Sequence, residues 1–412
     1  MFVKDEVRQL INDCEKDVEV EFKKIESICE VNTQKVLTAF QNNGVSEVHF
    51  NETTGYGYDD LGREVIEKIF AEVFGTEDAL VRGQFVSASH ALNVTFFGLL
   101  RPNDTMISIS GKPYDTMDEV IGIRENKSSL KSFGVKYEQI DLIDNDFDYG
   151  AIRNRLSRND VKLVEIQRSR GYSLRSTITL DKIEKVIKTI REVNKDVIIM
   201  IDNCYGELVE EREVGDVGAD ICVGSLMKNL GGGIASTGGY VAGKENLIHM
   251  VAERLTAPGI GKELGANFNQ NNAFFKGLFM APNAVKGALK TAIFSSYMLE
   301  KLGFDNVSPR FDEERTDIIQ TVELKTKENL VKFTQGIQES SPIDSFVHVL
   351  PAPMPGYPFD EVMAAGSFTQ GSTIELSADA PVIPPYTLYM QGGLSFEYGK
   401  LGIMLALSKI TK

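Results

Sequence analysis

Between about residues 80 and 245 the chain alternates strand-sized apolar segments with helical ones. "LVRGQFV", "TMISIS", "VKLVEIQ", "DVIIMID", "ADICVG" and "GGYVAG" are interleaved with the periodic stretches "ALNVTFFGLL", "DYGAIRNRL" and "LDKIEKVIKTIREVN". Strands this apolar need cover on both faces, and the intervening helices supply it. The pattern therefore predicts an α/β fold with a mostly parallel sheet between helical layers. In such a sheet ligands collect at the carboxyl ends of the strands, so residues just after the apolar runs are the first candidates for chemistry.

The flanks differ. In the first ~45 residues Val7, Leu10, Ile11, Cys14 and Val18 recur at three- and four-residue steps, which predicts helix. The polar run Gln41-Asn42-Asn43-Gly44 ends it. A loop rich in glycine and tyrosine, "TTGYGYDD", then leads into a helix from about Leu61 to Phe74. Beyond about Lys290 the chain reads as long helical stretches such as "TDIIQTVELKTKENLVKFTQGIQ". The segments "DSFVHVLPAPMPGYPFDEVMAAG" and "FTQGSTIELSAD" follow, with clustered proline and glycine. Three regions result: a helical arm over 1–55, a large domain over 56–290, and a smaller α+β domain over 291–412.

Charge excludes several classes of function. The 412 residues carry 59 acidic against 44 basic groups, a net charge of −15, with no basic block to track a phosphate backbone, so nucleic acid is a poor partner. Apolar runs such as Val197–Ile201 are far short of the ~20 residues that span a bilayer. The charged start "MFVKDEVRQLINDCEKDVEVEFKKIE" has no secretory core, and cytoplasmic location is the expectation. Cys14, Cys29, Cys204 and Cys222 form no C-x-x-C pair, and His49, His90, His249 and His348 are scattered, which disfavours a disulfide scaffold or a metal enzyme.

Four features fall at predicted strand ends. Ser87, Ala88, Ser89 and His90 stand where a strand passes into a helix, and the free amides of a helix start suit a phosphate, although a serine N-cap is the plainer reading. Tyr114 in "SGKPYDTMDEV" could stack on a flat ring or simply pack in the core. Asp202 closes the most apolar strand, as an anion beside a cation or as a turn residue. Lys228 in "VGSLMKNLGGG" follows the next strand, either solvated at a glycine-rich turn or recessed and reactive toward an aldehyde. Taken together they meet one demand. A pyridoxal phosphate site needs a phosphate cup, a stacked ring, an acid for the pyridinium nitrogen and a lysine for the aldehyde, and the chain presents them in that order.

The phrases "TGYGYDDLGRE", "ALVRGQFVSASHA", "SGKPYDTMDEVIG", "IQRSRGYSLR", "GSLMKNLGGGIASTGGYVAG" and "YMQGGLSFEYGKLGI" carry a resemblance over about residues 50–400. The chain resembles the aluminium resistance or methionine gamma-lyase-like family of fold-type I pyridoxal-phosphate enzymes, relatives of cystathionine beta-lyase and gamma-lyase. That likeness implies a large domain with a mostly parallel seven-stranded sheet and a smaller α+β C-terminal domain. It implies that Lys228 binds the cofactor covalently, Asp202 pairs with the ring nitrogen and Tyr114 stacks, with Tyr205 also in contact. Ser87, Ala88, Ser89 and Ser225 would hold the phosphate, and His90 either faces the cofactor or begins the helix. Tyr56 or Tyr58 with Arg63 would reach the phosphate of a neighbouring subunit, which implies a homo-oligomer: a dimer with shared sites, and a tetramer built from it. The three glycines after Lys228 would leave space for the cofactor or a facing subunit.

The implied activity is carbon–sulfur cleavage of a cystathionine-, methionine- or cysteine-class amino acid by β- or γ-elimination. An aminotransferase or racemase uses the same cofactor, and a regulatory or metal-tolerance role is the non-catalytic alternative. One departure bears on substrate. Relatives bind the substrate carboxylate through an arginine in the C-terminal domain, yet no arginine follows Arg315. Arg168, Arg170 and Arg175 in "QRSRGYSLR" are the replacements, with Arg168 or Arg170 favoured, and Gln391, beside Gly392 and Gly393, is placed near the substrate entrance.

Overall fold

The computed structural model describes residues 3–176 and 178–411. Two helices, α1 (Asp5–Asp17) and α2 (Glu19–Asn42), open the chain, and α3 (Leu61–Phe74) follows the tyrosine-rich loop. Next come β1 (Asp78–Arg82), α4 (Ala88–Leu99), β2 (Thr105–Ser108), α5 (Met117–Ile121), β3 (Lys136–Gln139), α6 (Tyr149–Leu156) and β4 (Leu163–Gln167). Then α7 (Leu180–Val193), β5 (Ile198–Asp202), β6 (Ile221–Ser225), β7 (Gly239–Gly243) and α8 (Glu245–Leu255) complete the alternating region. The 31-residue α9 (Asn271–Lys301) leads to β8 (Gln320–Glu323), α10 (Lys327–Ser340), β9 (Ala352–Pro353), β10 (Asp360–Ala364), β11 (Ser377–Pro381), β12 (Thr387–Gln391) and α11 (Phe396–Ile410).

The large sheet has seven strands in the order β1-β7-β6-β5-β4-β2-β3. Neighbours from β3 to β6 pair in parallel, while β7 runs against both β6 and β1. Alternate residues of each strand feed two cores, as period-two geometry requires. On β5, Ile198 and Met200 join the core of α4 and α8, whereas Ile199 and Ile201 join the larger core of α3, α7 and α9. With both faces covered, every residue of β4, β5, β6 and β7 is buried, which is why these segments are largely apolar, with Glu165 of β4 as the buried exception inside a strand.

The second sheet is antiparallel, in the order β8-β12-β11-β10-β9. Two expectations change here. The stretch "TDIIQTVEL" is not helix: Gln320–Glu323 pairs with β12, its β-branched residues packing inward, and helix begins only at Lys327, after the left-handed Lys325. The edge strand β3 had no apolar run to reveal it, since "KYEQ" lies half exposed beside β2. A boundary at 290 falls within α9, a continuous helix leading from the first sheet toward the second. Among the described residues no helix is long and apolar enough to cross a membrane.

Two of the glycines after Lys228 make close backbone approaches within the chain. A Cβ on Gly231 would lie 1.6 Å from the Leu226 carbonyl oxygen, and one on Gly232 would meet the Gly277 carbonyl of α9 at 2.5 Å. Without side chains there, the turn folds tightly on itself and seats against α9 of the same chain.

Candidate active site

The parallel arrangement brings the carboxyl ends of β1, β2, β5 and β6 to one edge of the sheet, and the four sequence candidates follow those ends. Asp202 is the last residue of β5, between Gln167 of β4 and Val223 of β6. Its Oδ1 accepts the Cys204 amide at 3.1 Å, while Oδ2 has no hydrogen-bond partner among the described residues. Burial raises its pKa, opposed by the field of Lys228.

Lys228 lies three residues past β6. Its Nζ rests 4.0 Å from the centroid of the Tyr205 ring and makes no hydrogen bond or ion pair among the described residues. Burial opposes its charge, but Cys204, Tyr205, Asp202 and Glu207 outweigh burial and hold the ammonium above its ordinary range. Glu207 itself is pushed up to about 8 by burial, and the Tyr240 hydroxyl donates to it at 3.1 Å. Tyr205 occupies its place through a left-handed backbone, φ 70°, in the turn after β5.

Tyr114 stands in the loop after β2, where its ring meets Tyr172 edge-on at 5.5 Å and its hydroxyl bonds that of Tyr357 at 2.7 Å. Gly171 supports it: with φ +55° and an added Cβ only 2.9 Å from the Tyr114 ring, that position admits no side chain. Beside this ring a cavity of about 340 Å³ is lined by Lys112, Gln167, Arg170, Tyr172 and Arg175, among others.

After β1, Ser87 caps α4, its Oγ accepting the His90 amide at 3.1 Å. That leaves the amides of Ala88 and Ser89 pointing out of the helix start without a backbone partner. The Ser89 hydroxyl bonds Thr116 at 2.9 Å. His90 turns back on its own loop, its Nδ1 accepting the Val86 amide at 3.2 Å and its ring edge-on to Phe85, and burial lowers its pKa. Ser225, the last residue of β6, accepts the Met227 amide at 3.1 Å.

The remaining candidates divide. The Arg168 guanidinium is fully buried and committed: Nη1 donates to Asn203 Oδ1 (2.9 Å) and the Gly206 carbonyl (2.7 Å), and Nη2 pairs with Glu210 at 2.7 Å. It does not line the cavity, and its contacts are those of a residue that fixes the turn after β5. Arg168→Met is therefore expected to destabilise the fold by about 3 kcal/mol, the cost of losing a buried guanidinium that holds Asn203, Gly206 and Glu210 together, with a lower melting temperature and little change in KM. A raised KM with unchanged melting would return Arg168 to the substrate site.

Arg170 and Arg175 do line the cavity. Arg170 donates to Ser308 Oγ at 2.9 Å and sits 4.0 Å from Asp317, while Arg175 donates to the Gln167 and Ser169 carbonyls. Burial lowers the Arg175 pKa to about 10. Gln391 is buried on β12, donating to Ser377 Oγ and Asp379 Oδ2 at 3.0 Å each. Tyr56 and Tyr58 are 72% and 58% exposed, and Arg63 donates to the Tyr58 and Glu263 carbonyls. None of these three lines the cavity of its own chain. Asp379, Glu361, Tyr172 and Tyr357 were not singled out from the sequence, because antiparallel strands of the second sheet and a short loop carry them in without any motif.

Groups at the sheet edge keep unused capacity: a carboxylate oxygen of Asp202, the Lys228 amine and two helix-start amides. That donor set fits a cofactor bearing an aldehyde, a basic ring nitrogen and a phosphate. Comparison with known proteins points the same way. The pyridoxal-5'-phosphate dependent protein YhfS of Escherichia coli superposes with TM-score 0.62 at 15% identity, covering 92% of this chain and 95% of that one, which shows a shared fold. The architecture is that of the fold-type I pyridoxal-phosphate-dependent enzymes.

The family model for methionine gamma-lyase matches residues 7–411, and the chain belongs to that family. A carbon-sulfur lyase involved in aluminum resistance from Clostridium novyi is 46% identical, with TM-score 0.95 over 99% of this chain and 97% of that one. The uncharacterized protein YnbB of Bacillus subtilis is 46% identical over 399 residues, 96% of this chain and 94% of its own length.

Proposed function

We propose that the chain is a pyridoxal-phosphate-dependent lyase that breaks a carbon–sulfur bond in a sulfur-containing amino acid by β- or γ-elimination. The observation that carries this reading is the unpaired Lys228 amine beside Asp202 and Tyr205 at the carboxyl edge of the sheet. Family membership and the Clostridium novyi relative support the reaction class.

The cofactor, when bound, supplies an electron sink for the pair left behind when the substrate's α-proton departs. Ala88 and Ser89 amides, with the Ser87 and Ser225 hydroxyls, hold its phosphate at the positive end of α4. Asp202 would pair with the ring nitrogen of the cofactor and favour its protonated form, and Tyr114 would stack on the ring. Lys228 would hold the aldehyde of the cofactor, and its amine is the group placed to take the proton from the substrate's α-carbon. Arg170 and Arg175 receive the substrate carboxylate in place of a C-terminal-domain arginine. Tyr56 or Tyr58, with Arg63, would complete the phosphate site of a second copy, and a dimer with shared sites would assemble further into a tetramer.

The test is product analysis on cystathionine, methionine and cysteine. The lyase reading expects a 2-oxo acid, ammonia and a sulfur product without any amino acceptor. Strict dependence on a 2-oxo acid acceptor makes it an aminotransferase instead, and silence across a broad amino-acid panel favours a non-catalytic role.

A further inference from the structure

The second sheet has two unlike faces. The registers of β10, β11 and β12 put Val362, Ala378, Ala380, Leu388 and Met390 on the side of α10 and α11. The same registers put Glu361, Asp379, Tyr389 and Gln391 on the opposite side. That side turns to the candidate site. The Tyr389 hydroxyl donates to the Tyr172 carbonyl at 2.7 Å, the Tyr172 hydroxyl donates to Glu361 Oε2 at 3.4 Å, and the charge of Lys228 acts on Asp379.

The two carboxylates lack matching cations. Glu361 is 1% exposed, and its Oε1 has no hydrogen-bond partner. Asp379 has the Gln391 amide at 3.0 Å. The basic groups nearby are engaged elsewhere: Lys112 with Asp115 and Asp118, Arg170 with Ser308 and Asp317, while Lys228 is reserved for the cofactor. Burial pushes Asp379 up to about 6 and Glu361 to about 8, as expected of acids without a full counter-charge. Aromatic rings surround them, with Tyr172 at 5.7 Å from Tyr357 and 4.8 Å from Tyr389.

Three kinds of substrate tail can be weighed against this wall. An anionic tail meets like charge, and an apolar one leaves the orphaned Glu361 oxygen buried without a partner. A cationic tail satisfies the carboxylates and is favoured by the ring faces. We propose that Glu361 and Asp379 bind an ammonium group carried on the substrate beyond its sulfur, so that the enzyme prefers a basic thioether amino acid. The proposal rests on the lyase reading for the identity of the reaction, not for the recognition itself.

The test compares two cleavable amino acids of equal length on the holoenzyme: S-(2-aminoethyl)-L-cysteine, which is cationic, and S-propyl-L-cysteine, which is neutral. Elimination breaks the Cβ–S bond and removes the α-proton; the thiolate leaves and is protonated, and hydrolysis yields pyruvate and ammonia. The cationic substrate is expected to have a kcat/KM higher by about tenfold or more, the value of a buried charge-assisted contact, with the ratio falling toward one in Asp379→Asn and Glu361→Gln. Equal or reversed preference in the wild type, or a ratio untouched in both variants, overturns the proposal. Calorimetric binding of L-lysine against L-norleucine repeats the comparison without cleavage. If neither thioether is split but lysine still binds more tightly, β-elimination fails and the ammonium site stands. If both thioethers are split alike, the ammonium site fails and the lyase stands.

Discussion

Lys228→Ala is expected to lower kcat/KM by at least about 10³-fold, because one amine is both the covalent anchor and the base at the substrate's α-carbon. The fold should survive. Lys228 makes no hydrogen bond or ion pair that holds the turn, which is seated instead by Gly231 and Gly232 against the neighbouring backbone. Circular dichroism and melting should therefore match the wild type while turnover and the cofactor absorption band are lost. Near-normal turnover in the variant would remove Lys228 from the mechanism.

The same variant tests whether sites are shared. Tyr56 is exposed and does not line the cavity beside Tyr114 in its own chain, so Tyr56→Ala is expected to impair the neighbouring copy's site. Mixing and re-associating Lys228→Ala with Tyr56→Ala chains then creates intact sites in hybrid dimers, and activity should climb to about a quarter of the wild-type value from random pairing. No gain on mixing would place Tyr56 outside a shared site.

Asp202→Asn is the second large effect. The asparagine oxygen can still accept the Cys204 amide, so the turn after β5 keeps its geometry, but the negative charge is gone. Without that charge the ring nitrogen loses its proton and the electron sink weakens, and kcat is expected to fall by about 10²-fold or more with cofactor still bound. Steady-state kinetics beside an absorption spectrum separates the two quantities. Unchanged kcat would mean that another group sets the charge of the ring, and Glu207 is the next acid in reach of Lys228.

Much of the architecture was legible because the buried parallel strands have no other way to be written. β4, β5 and β6 are buried along their whole length since both faces are covered, β5 is apolar up to its last residue, and Asp202 is conspicuous because it ends that run. Where burial is one-sided the signal fades. The edge strand β3 has one tyrosine among three polar residues, and β8 merges with a helical pattern because only three residues separate it from α10. Lys228 could be suspected from its place after β6, but its isolation above Tyr205 is a tertiary fact.

Arginines were least readable. Arg168 and Arg170 lie two residues apart after the same strand, yet one is spent on Asn203, Gly206 and Glu210 while the other faces the cavity. Nothing in "QRSRG" separates them, because their partners come from the β5 turn in one case and from the segment around Ser308 and Asp317 in the other. Glu361 and Asp379 were likewise invisible: each is an ordinary acid on an antiparallel strand until the register turns both to the face that meets Tyr172 and Lys228.

The most direct measurement of the central claim is borohydride reduction of the holoenzyme followed by peptide mass spectrometry. The account predicts one pyridoxyl adduct per chain, on the peptide containing Lys228, with loss of the yellow absorption band and of turnover. An adduct on another lysine, or a protein that takes up no pyridoxal phosphate, would contradict it.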